Sequence, residues 1–157
     1  MSLLAEYQDA RHDEEIARLH RVFALRALVA TGMNQRQISE RLGISQSAVS
    51  QQLRSAPDLA SIHPADVLEA SAPVLKQVAK EHGYKRLAVF GSAARGEARQ
   101  ESDLDFIVDA PAGTSSFAFL GFKRLVEEVL GREVDMITYG GLSPKADGDI
   151  RRDAVLL

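Results

Sequence analysis

Apolar side chains recur at helical spacing in the first third of the chain and form short continuous runs in its second half. Over residues 12–30 one face is apolar and Arg and Glu occupy the other, which predicts an amphipathic helix. Thr31 and Gly32 end this helix, because Gly is the favoured residue just past a helix end. The apolar positions are Ile16, Leu19, Phe23, Ala27 and Val29 or Ala30.

Two short helices are predicted next. Asn34 and Ser45 are favourable N-caps, and they predict helices over residues 35–42 and 46–53. Gly43 lies between these segments and stops the first of them. A tight turn is therefore expected to join two helices of about two turns each.

The middle of the chain predicts a linker and two further helices. Residues 55–63 are rich in Ser, Ala and Pro and show no strong period, which is typical of a linker. Pro64 fits the first turn of a helix. Pro73 is expected to break that helix, so that a new one runs over residues 72–81.

The hydrophobic period changes in the second half. Apolar runs predict strands at 86–90, 104–108 and 133–138, and amphipathic stretches predict helices at 117–130 and 147–153. The expected fold class is α+β, with an N-terminal all-α domain followed by a small α/β module that has a mixed sheet of three or four strands. The expected boundaries are residues 1–58 for the all-α domain, 59–70 for a linker and helix, and 71–157 for the α/β module.

Composition and charge exclude several classes of protein. The chain has 157 residues, 19 basic and 22 acidic side chains, and no Cys, so disulfides and thiolate metal sites are excluded. No apolar run approaches the roughly 20 residues that span a bilayer. The N-terminus lacks a basic segment followed by an apolar one, so no signal peptide is predicted and a cytoplasmic location is expected. The net charge of −3 argues against non-specific coating of nucleic acid.

Residues 35–54, QRQISERLGISQSAVSQQLR, contain the first motif with a chemical meaning. Gly43 supplies the turn, and small or apolar side chains clamp the two helices together. The expected inward positions are Ile38, Leu42, Ile44, Val49 and Leu53. This pattern resembles the helix-turn-helix of bacterial repressors, so the all-α domain is interpreted as a helix-turn-helix domain.

The second helix of this motif presents polar side chains that suit the reading of DNA. Gln pairs bidentately with adenine, and Ser and Arg contact phosphates or base edges. The candidate DNA-binding residues are Gln46, Ser47, Ser50, Gln51 and Arg54. An operator DNA is the expected partner, and the symmetry of helix-turn-helix proteins suggests a homodimer. The alternative is that the motif serves only as an interaction or dimerisation module.

The second motif lies in residues 87–109, LAVFGSAARGEARQESDLDFIVD. A predicted strand runs into Gly91 and Ser92, ten residues follow, and Asp103 and Asp105 then begin the next strand. Alternation along a strand places these two carboxylates on one face. Asp135, in the following strand, can complete a cluster of the hard oxygen ligands that Mg²⁺ prefers. The alternative is that all three are solvated residues at strand ends.

Gly-Ser, ten residues and Asp-x-Asp form the motif of minimal nucleotidyltransferases of the DNA polymerase β-like superfamily, which residues 70–157 resemble. The resemblance implies an α/β nucleotidyltransferase module that uses ATP as substrate and Mg²⁺ as cofactor. It assigns nucleotide binding to Gly91, Ser92 and Arg95, and metal binding and catalysis to Asp103, Asp105 and Asp135. Arg95 has a plainer alternative as a surface charge.

The module is too short to carry its own polymer-binding domains, and it resembles the antitoxin half of toxin–antitoxin pairs. That resemblance implies a HEPN-type ribonuclease toxin as partner and transfer of AMP to one of its hydroxyls, often of a Tyr. The fused helix-turn-helix departs from the simplest members of the family. Two alternatives remain open: a non-catalytic transcription regulator that senses nucleotide, and an enzyme that nucleotidylates an antibiotic. The second is less favoured, because the sequence predicts no domain that would shape an aminoglycoside pocket.

Overall fold

The structure, a computed structural model, describes residues 2–143 and 147–157. Helix α1 spans Leu3–Ala30, and the side chain of Ser2 caps it by accepting a hydrogen bond from the backbone N–H of Ala5. The predicted start at residue 12 is therefore wrong, because the preceding residues are good helix formers that need no apolar face of their own. No helix in the described part of the chain is long and apolar enough to cross a membrane.

Helices α2 (Gln35–Leu42) and α3 (Gln46–Arg54) confirm the two short helices. Gly43 ends α2 in the left-handed conformation at φ 68°. Two inward predictions are wrong, since Leu42 is 53% exposed and Ile44 is also exposed. Both lie at or beyond the last turn of α2, outside the small core that the more central side chains of α2 and α3 form.

The predicted linker contains a short 3-10 turn at Leu59–Ser61, in which Leu59 is buried. Helix α4 then runs unbroken over Pro64–Glu81, so the predicted interruption at Pro73 is wrong. The ring of Pro73 lies on the exposed face, where water can satisfy the backbone carbonyl that loses its hydrogen bond. The opposite face of α4 is buried along its whole length, and this packing stabilises the helix on both sides of the proline.

Four strands form one mixed sheet, as predicted. They are β1 (Lys85–Phe90), β2 (Leu104–Asp109), β3 (Val134–Thr138) and β4 (Val155–Leu156). The sheet order is β3-β2-β1-β4; β1 is antiparallel to β2 and β4, and β2 is parallel to β3. The helices of this part are α5 (Gly91–Ala94), α6 (Ser116–Leu130) and α7 (Gly148–Asp153). Helix α6 connects β2 to its parallel neighbour β3, which such a pairing requires.

Helix α1 contributes side chains to two hydrophobic cores. Phe23 is fully buried in the main core, together with apolar residues of α4, α6 and the sheet. Leu25, two residues further on, joins a smaller core with Ile38 of α2 and Val49 of α3. The division into separate domains stays a prediction. Helix α1 packs in both cores, so it belongs to neither domain alone.

Arg26 fastens α1 to the end of α6. Its Nε donates a hydrogen bond to the backbone carbonyl of Val129 at 3.0 Å, and its Nη2 donates to that of Glu128 at 2.7 Å. Carbonyls in the last turn of a helix lack partners within the helix and carry partial negative charge, so a guanidinium stabilises them. One side chain therefore joins the first helix to the helix that supports the sheet.

Candidate active site

The first carboxylates of the site come from the start of β2. Leu104 and Phe106 are fully buried in the main core. Because side chains alternate along a strand, Asp103 and Asp105 lie on the opposite face, with Asp103 exposed and Asp105 half-buried. The predicted sharing of one face by the two carboxylates agrees with this arrangement.

Asp135 lies beside Asp105 because the parallel register of β2 and β3 pairs their Cα atoms. Burial raises the pKa of Asp105 to about 6, with further contributions from the charge of Asp135, a hydrogen bond to it and the charge of Asp103. Arg95 acts in the opposite direction and lowers the pKa of Asp105. Two carboxylates and one guanidinium of the predicted site therefore act on Asp105.

Gly91 lies in the turn that follows β1 and brings the backbone of this turn close to Asp105. The preceding residue, Phe90, pairs with Asp105 across the antiparallel β1–β2 ladder. Gly91 has φ 74°, and a Cβ atom added there would collide with Oδ2 of Asp105 and lie 3.4 Å from its Cγ. A side chain at this position is excluded by backbone strain and by lack of space, so the turn needs glycine.

Ser92 and Arg95 complete the predicted nucleotide-binding set. Ser92 is half-buried in the single-turn helix α5, and its hydroxyl has no hydrogen-bond partner among the residues that the structure describes. Arg95, just past α5, is exposed and ion-paired with Glu97 at 3.1 Å and with Asp153 at 3.2 Å. Asp153 comes from the C-terminal helix, and no spacing in the sequence could have indicated this contact across 58 positions.

A groove of about 340 Å³ opens beside Asp103 and Asp135. Its other wall is α6, which the sequence prediction missed because the hydrophobic pattern of α6 indicates only its buried face. The remaining lining residues are Leu120, Lys123, Arg124, Glu127, Glu133 and Val134. The outward positions of α6, spaced by three or four residues, were the signal that could have revealed this wall.

The comparisons with known proteins agree with this geometry. The family model described as a nucleotidyltransferase domain matches residues 73–157, more than half of the chain. The chain belongs to the nucleotidyltransferase family. Within that family it is a minimal nucleotidyltransferase that carries additional N-terminal helices.

Two relatives and one solved structure are similar to this nucleotidyltransferase. A relative from Methanocaldococcus jannaschii is 41% identical over 75 residues, which cover 48% of this chain and 81% of that protein. Protein adenylyltransferase MntA of Thermococcus cleftensis is 31% identical over 80 residues, which cover 51% of this chain and 81% of that protein. A solved structure of a minimal nucleotidyltransferase matches with a TM-score of 0.53 and 35% identity, and the match covers 66% of this chain and 99% of that one.

The carboxylate cluster of the nucleotidyltransferase suits a divalent cation. Asp103, Asp105 and Asp135 offer only hard oxygen atoms, which is the donor set that Mg²⁺ prefers. Burial is the main cause of the raised pKa of Asp105, and the negative charges of Asp135 and Asp103 add a repulsion within the cluster. A cation bound between these groups would relieve that repulsion, so the residues fit the metal that nucleotidyl transfer requires.

A second group of possible ligands lies between α1 and α4. His12, Asp66 and Glu69 have ligand atoms within 4.8 Å of one another, and His12 Nε2 lies 3.3 Å from Glu69 Oε2. The hydrogen bond to Glu69 raises the pKa of His12, which favours the charged imidazole and an ion pair. These side chains are mostly exposed, and we interpret them as a surface contact between the two helices.

The predicted DNA-binding residues form a separate surface on α3. Gln46, Ser47, Gln51 and Arg54 are exposed, and Ser50 is half-buried. Val49 is fully buried in the small core and fixes the orientation of the helix. The nucleotidyltransferase therefore presents the polar face of α3 to solvent, as a recognition helix requires.

Proposed function

We propose that this nucleotidyltransferase is a Mg²⁺-dependent protein adenylyltransferase that transfers AMP from ATP to a hydroxyl of a partner protein. The observation that carries the proposal is the pairing of Asp105 with Asp135 directly beside the Gly91 turn. The name of the Thermococcus cleftensis relative, a protein adenylyltransferase, supports a protein as acceptor. The resemblance to antitoxins further supports a HEPN-type toxin as that protein.

In the proposed reaction, the acceptor oxygen attacks the α-phosphorus of ATP. A new P–O bond forms, the bond from the α-phosphorus to the oxygen bridging the β-phosphate breaks, and pyrophosphate leaves. Gly91 lets the backbone approach the triphosphate closely, and the Ser92 hydroxyl donates a hydrogen bond to it. Asp135, which is exposed at the groove, accepts the proton of the attacking hydroxyl.

Asp103 and Asp105 are the proposed ligands of Mg²⁺, with Asp135 beside them. When bound, the cation supplies neutralisation of the phosphate charge and activation of the attacking oxygen. Arg95 contributes positive charge next to the same site and already lowers the pKa of Asp105. Its ion pairs with Glu97 and Asp153 have to open before its guanidinium contacts a phosphate.

Incubation of the purified chain with α-labelled ATP, Mg²⁺ and a lysate of its own host tests this proposal. The expected result is a labelled protein band that is sensitive to protease and resistant to ribonuclease. A label that appears only in a small molecule or in nucleic acid would contradict a protein acceptor. ATP binding without any labelled product would favour the nucleotide-sensing regulator instead.

The rate of transfer is expected to fall as the pH drops through about 6. Because the pKa of Asp105 is raised to about 6, this carboxyl gains a proton in a range where an ordinary Asp stays charged. A protonated Asp105 is a poor ligand for Mg²⁺, so activity should be full above this range and lost below it. Initial rates measured from pH 5 to pH 9 at saturating ATP and sub-saturating Mg²⁺ check this, since protons and Mg²⁺ then compete for Asp105; a rate that stays constant down to pH 5 would refute it.

We further propose that α3 binds operator DNA near the gene that encodes this chain. Replacing Arg54 with Ala should weaken binding to the duplex upstream of the gene by about 1–3 kcal/mol, roughly five- to 150-fold, because a base-edge contact has this value. Fluorescence anisotropy with that duplex and a scrambled one measures the change. Lys80→Ala, an exposed cation on α4, is the matched control. Equal affinities of the Arg54 variant and the parent chain would contradict a reading role for α3.

A further inference from the structure

Helix α6 carries an apolar and basic stripe beside the candidate carboxylates, and packing in the described structure does not account for it. Phe117 is 85% exposed and Leu120 is 39% exposed. Arg124 follows at the spacing that continues the same face of the helix, and Lys123 lies next to it. We define Phe117, Leu120, Lys123 and Arg124 as the α6 stripe.

The stripe reaches the site directly. Leu120, Lys123 and Arg124 line the groove that Asp103 and Asp135 also line. Phe117 stands about one helical turn before Leu120, so it extends the stripe beyond the groove. A molecule that covers the stripe therefore also lies against the residues that we propose to handle the acceptor hydroxyl.

The charges of the stripe are available to a partner. Among residues 2–143 and 147–157, neither Lys123 nor Arg124 forms an ion pair. Arg124 is exposed and Lys123 is half-buried. A carboxylate on a bound molecule would pair with either of them, and Arg can hold it with two parallel hydrogen bonds.

The same groove is unsuited to a nucleic acid. Its two basic side chains face the carboxylates of Asp103, Glu127, Glu133 and Asp135, which outnumber them. A polyanion needs a surface on which Lys and Arg dominate. Exposed aromatic and aliphatic side chains that are flanked by an unpaired Arg are instead typical of the anchoring part of a protein interface.

We propose that the α6 stripe docks the acceptor protein and thereby determines which hydroxyl is modified. The matching surface has an apolar side chain that covers Phe117 and Leu120, and a carboxylate next to the acceptor hydroxyl that pairs with Arg124 or Lys123. This inference rests on the proposed function, because it specifies how a protein acceptor is recognised. According to this proposal, Phe117 and Arg124 determine the specificity for the acceptor protein and do not contact the nucleotide.

Two double variants test the stripe, one for each kind of contact. Phe117→Ser with Leu120→Ser removes the apolar part, and Lys123→Glu with Arg124→Glu reverses the charge. The matched controls are Leu3→Ser with Leu4→Ser, which are exposed apolar residues of α1, and Lys76→Glu with Lys80→Glu, which are exposed on α4. Each chain receives α-labelled ATP, Mg²⁺ and a dilution series of host lysate as the source of acceptor.

Both stripe variants are expected to label the acceptor band at least about tenfold more slowly at low lysate concentration, since an interface anchor contributes more than about 1.4 kcal/mol. The deficit should shrink as the lysate becomes more concentrated, because docking affects the affinity for the acceptor rather than the chemical step. The affinity for ATP with Mg²⁺, measured by calorimetry, should stay within twofold of the parent chain. The controls should label like the parent.

The possible failures can be told apart. If the parent chain labels no protein, the proposed function fails and the docking surface fails with it. If the parent labels a protein and the stripe variants label it equally well, only the docking surface fails. Weakened ATP binding by the Glu variants would place Lys123 and Arg124 on the triphosphate instead. Light scattering that shows a dimer in the parent and a monomer in the Ser variant would make the stripe an interface between two copies.

Discussion

Replacing Asp103 and Asp105 together with Asn is expected to abolish nucleotidyl transfer and to raise the stability of the fold. Loss of the two proposed metal ligands should remove about 4 kcal/mol or more of transition-state stabilisation, which corresponds to a rate loss of about a thousandfold or more. The fold should tolerate the change because Asp103 is exposed and Asp105 is only half-buried. Transfer is measured with α-labelled ATP and the host lysate.

The gain in stability has a definite sign. The pKa of Asp105 is raised to about 6 in the folded chain. At pH 8 the carboxylate is charged in both the folded and the unfolded chain, and the folded chain disfavours the charge, so this group lowers the free energy of unfolding. Asn carries no charge and removes this penalty. Because solvent screens a half-buried group, we expect a gain of about 1 kcal/mol in the free energy of unfolding, or roughly 2–4 °C in melting temperature. The difference should narrow as the pH falls from about 6 towards 4, where Asp105 is protonated in the parent chain as well.

A control variant and added Mg²⁺ make this test sharper. Glu101→Gln removes an exposed acid two residues before Asp103 and should change neither transfer nor melting temperature. Mg²⁺ should raise the melting temperature of the parent chain, because a ligand of the folded state stabilises it, and should leave the double variant unchanged. Full transfer activity in the double variant would refute the roles proposed for these two carboxylates.

Replacing Phe23 with Ala is expected to destabilise the transferase part of the chain, although Phe23 belongs to the first helix. Its side chain is fully buried in the main core with residues of α4, α6 and the sheet. A change of Phe to Ala in a core costs about 3–5 kcal/mol, which lowers the melting temperature of a chain of this size by about 10 °C. Thermal unfolding followed by circular dichroism, together with the transfer rate at elevated temperature, measures this.

Ile38→Ala is the matched comparison, because Ile38 is equally buried but lies in the small core that α1 forms with α2 and α3. It should weaken DNA binding while ATP binding at 25 °C stays intact. The Phe23 variant should instead lose ATP binding and DNA binding together as it melts. If the Phe23 variant melted like the parent chain, α1 would not be part of the transferase core.

The parts of this structure that are local in sequence could be predicted, because caps, glycines and strand alternation act over a few residues. Asn34, Gly43 and Ser45 indicated the limits of two helices, and the structure places those limits at the same residues. The alternation around Leu104 is enough to place Asp103 and Asp105 on one face, since it follows from strand geometry alone. The apolar runs also predicted β1, β2 and β3 of the mixed sheet, whereas β4 (Val155–Leu156) was not among the predicted strands.

The parts that depend on tertiary packing could not be predicted. Pro73 is tolerated inside α4 because the other face of that helix is buried, and the sequence alone does not show which face that is. The ion pair of Arg95 with Asp153 joins segments that are distant along the chain. The groove wall on α6 exists only because β3 places Asp135 opposite that helix. In each case, a long-range contact decides the outcome.

The hydrogen bonds from Arg26 to the end of α6 have a thermodynamic consequence. Helix α6 carries the proposed docking stripe near its start, while α1 packs against the helix that would read DNA. If binding of the acceptor shifts α6, the hydrogen bonds of Arg26 would transmit the shift to α1, which packs against α3. Linkage then requires reciprocity: if the acceptor protein weakens operator binding by some factor, the operator weakens acceptor binding by the same factor. Under both proposals, the amount of unmodified partner in the cell would then affect the occupancy of the operator, with Arg26 lying between the two binding surfaces.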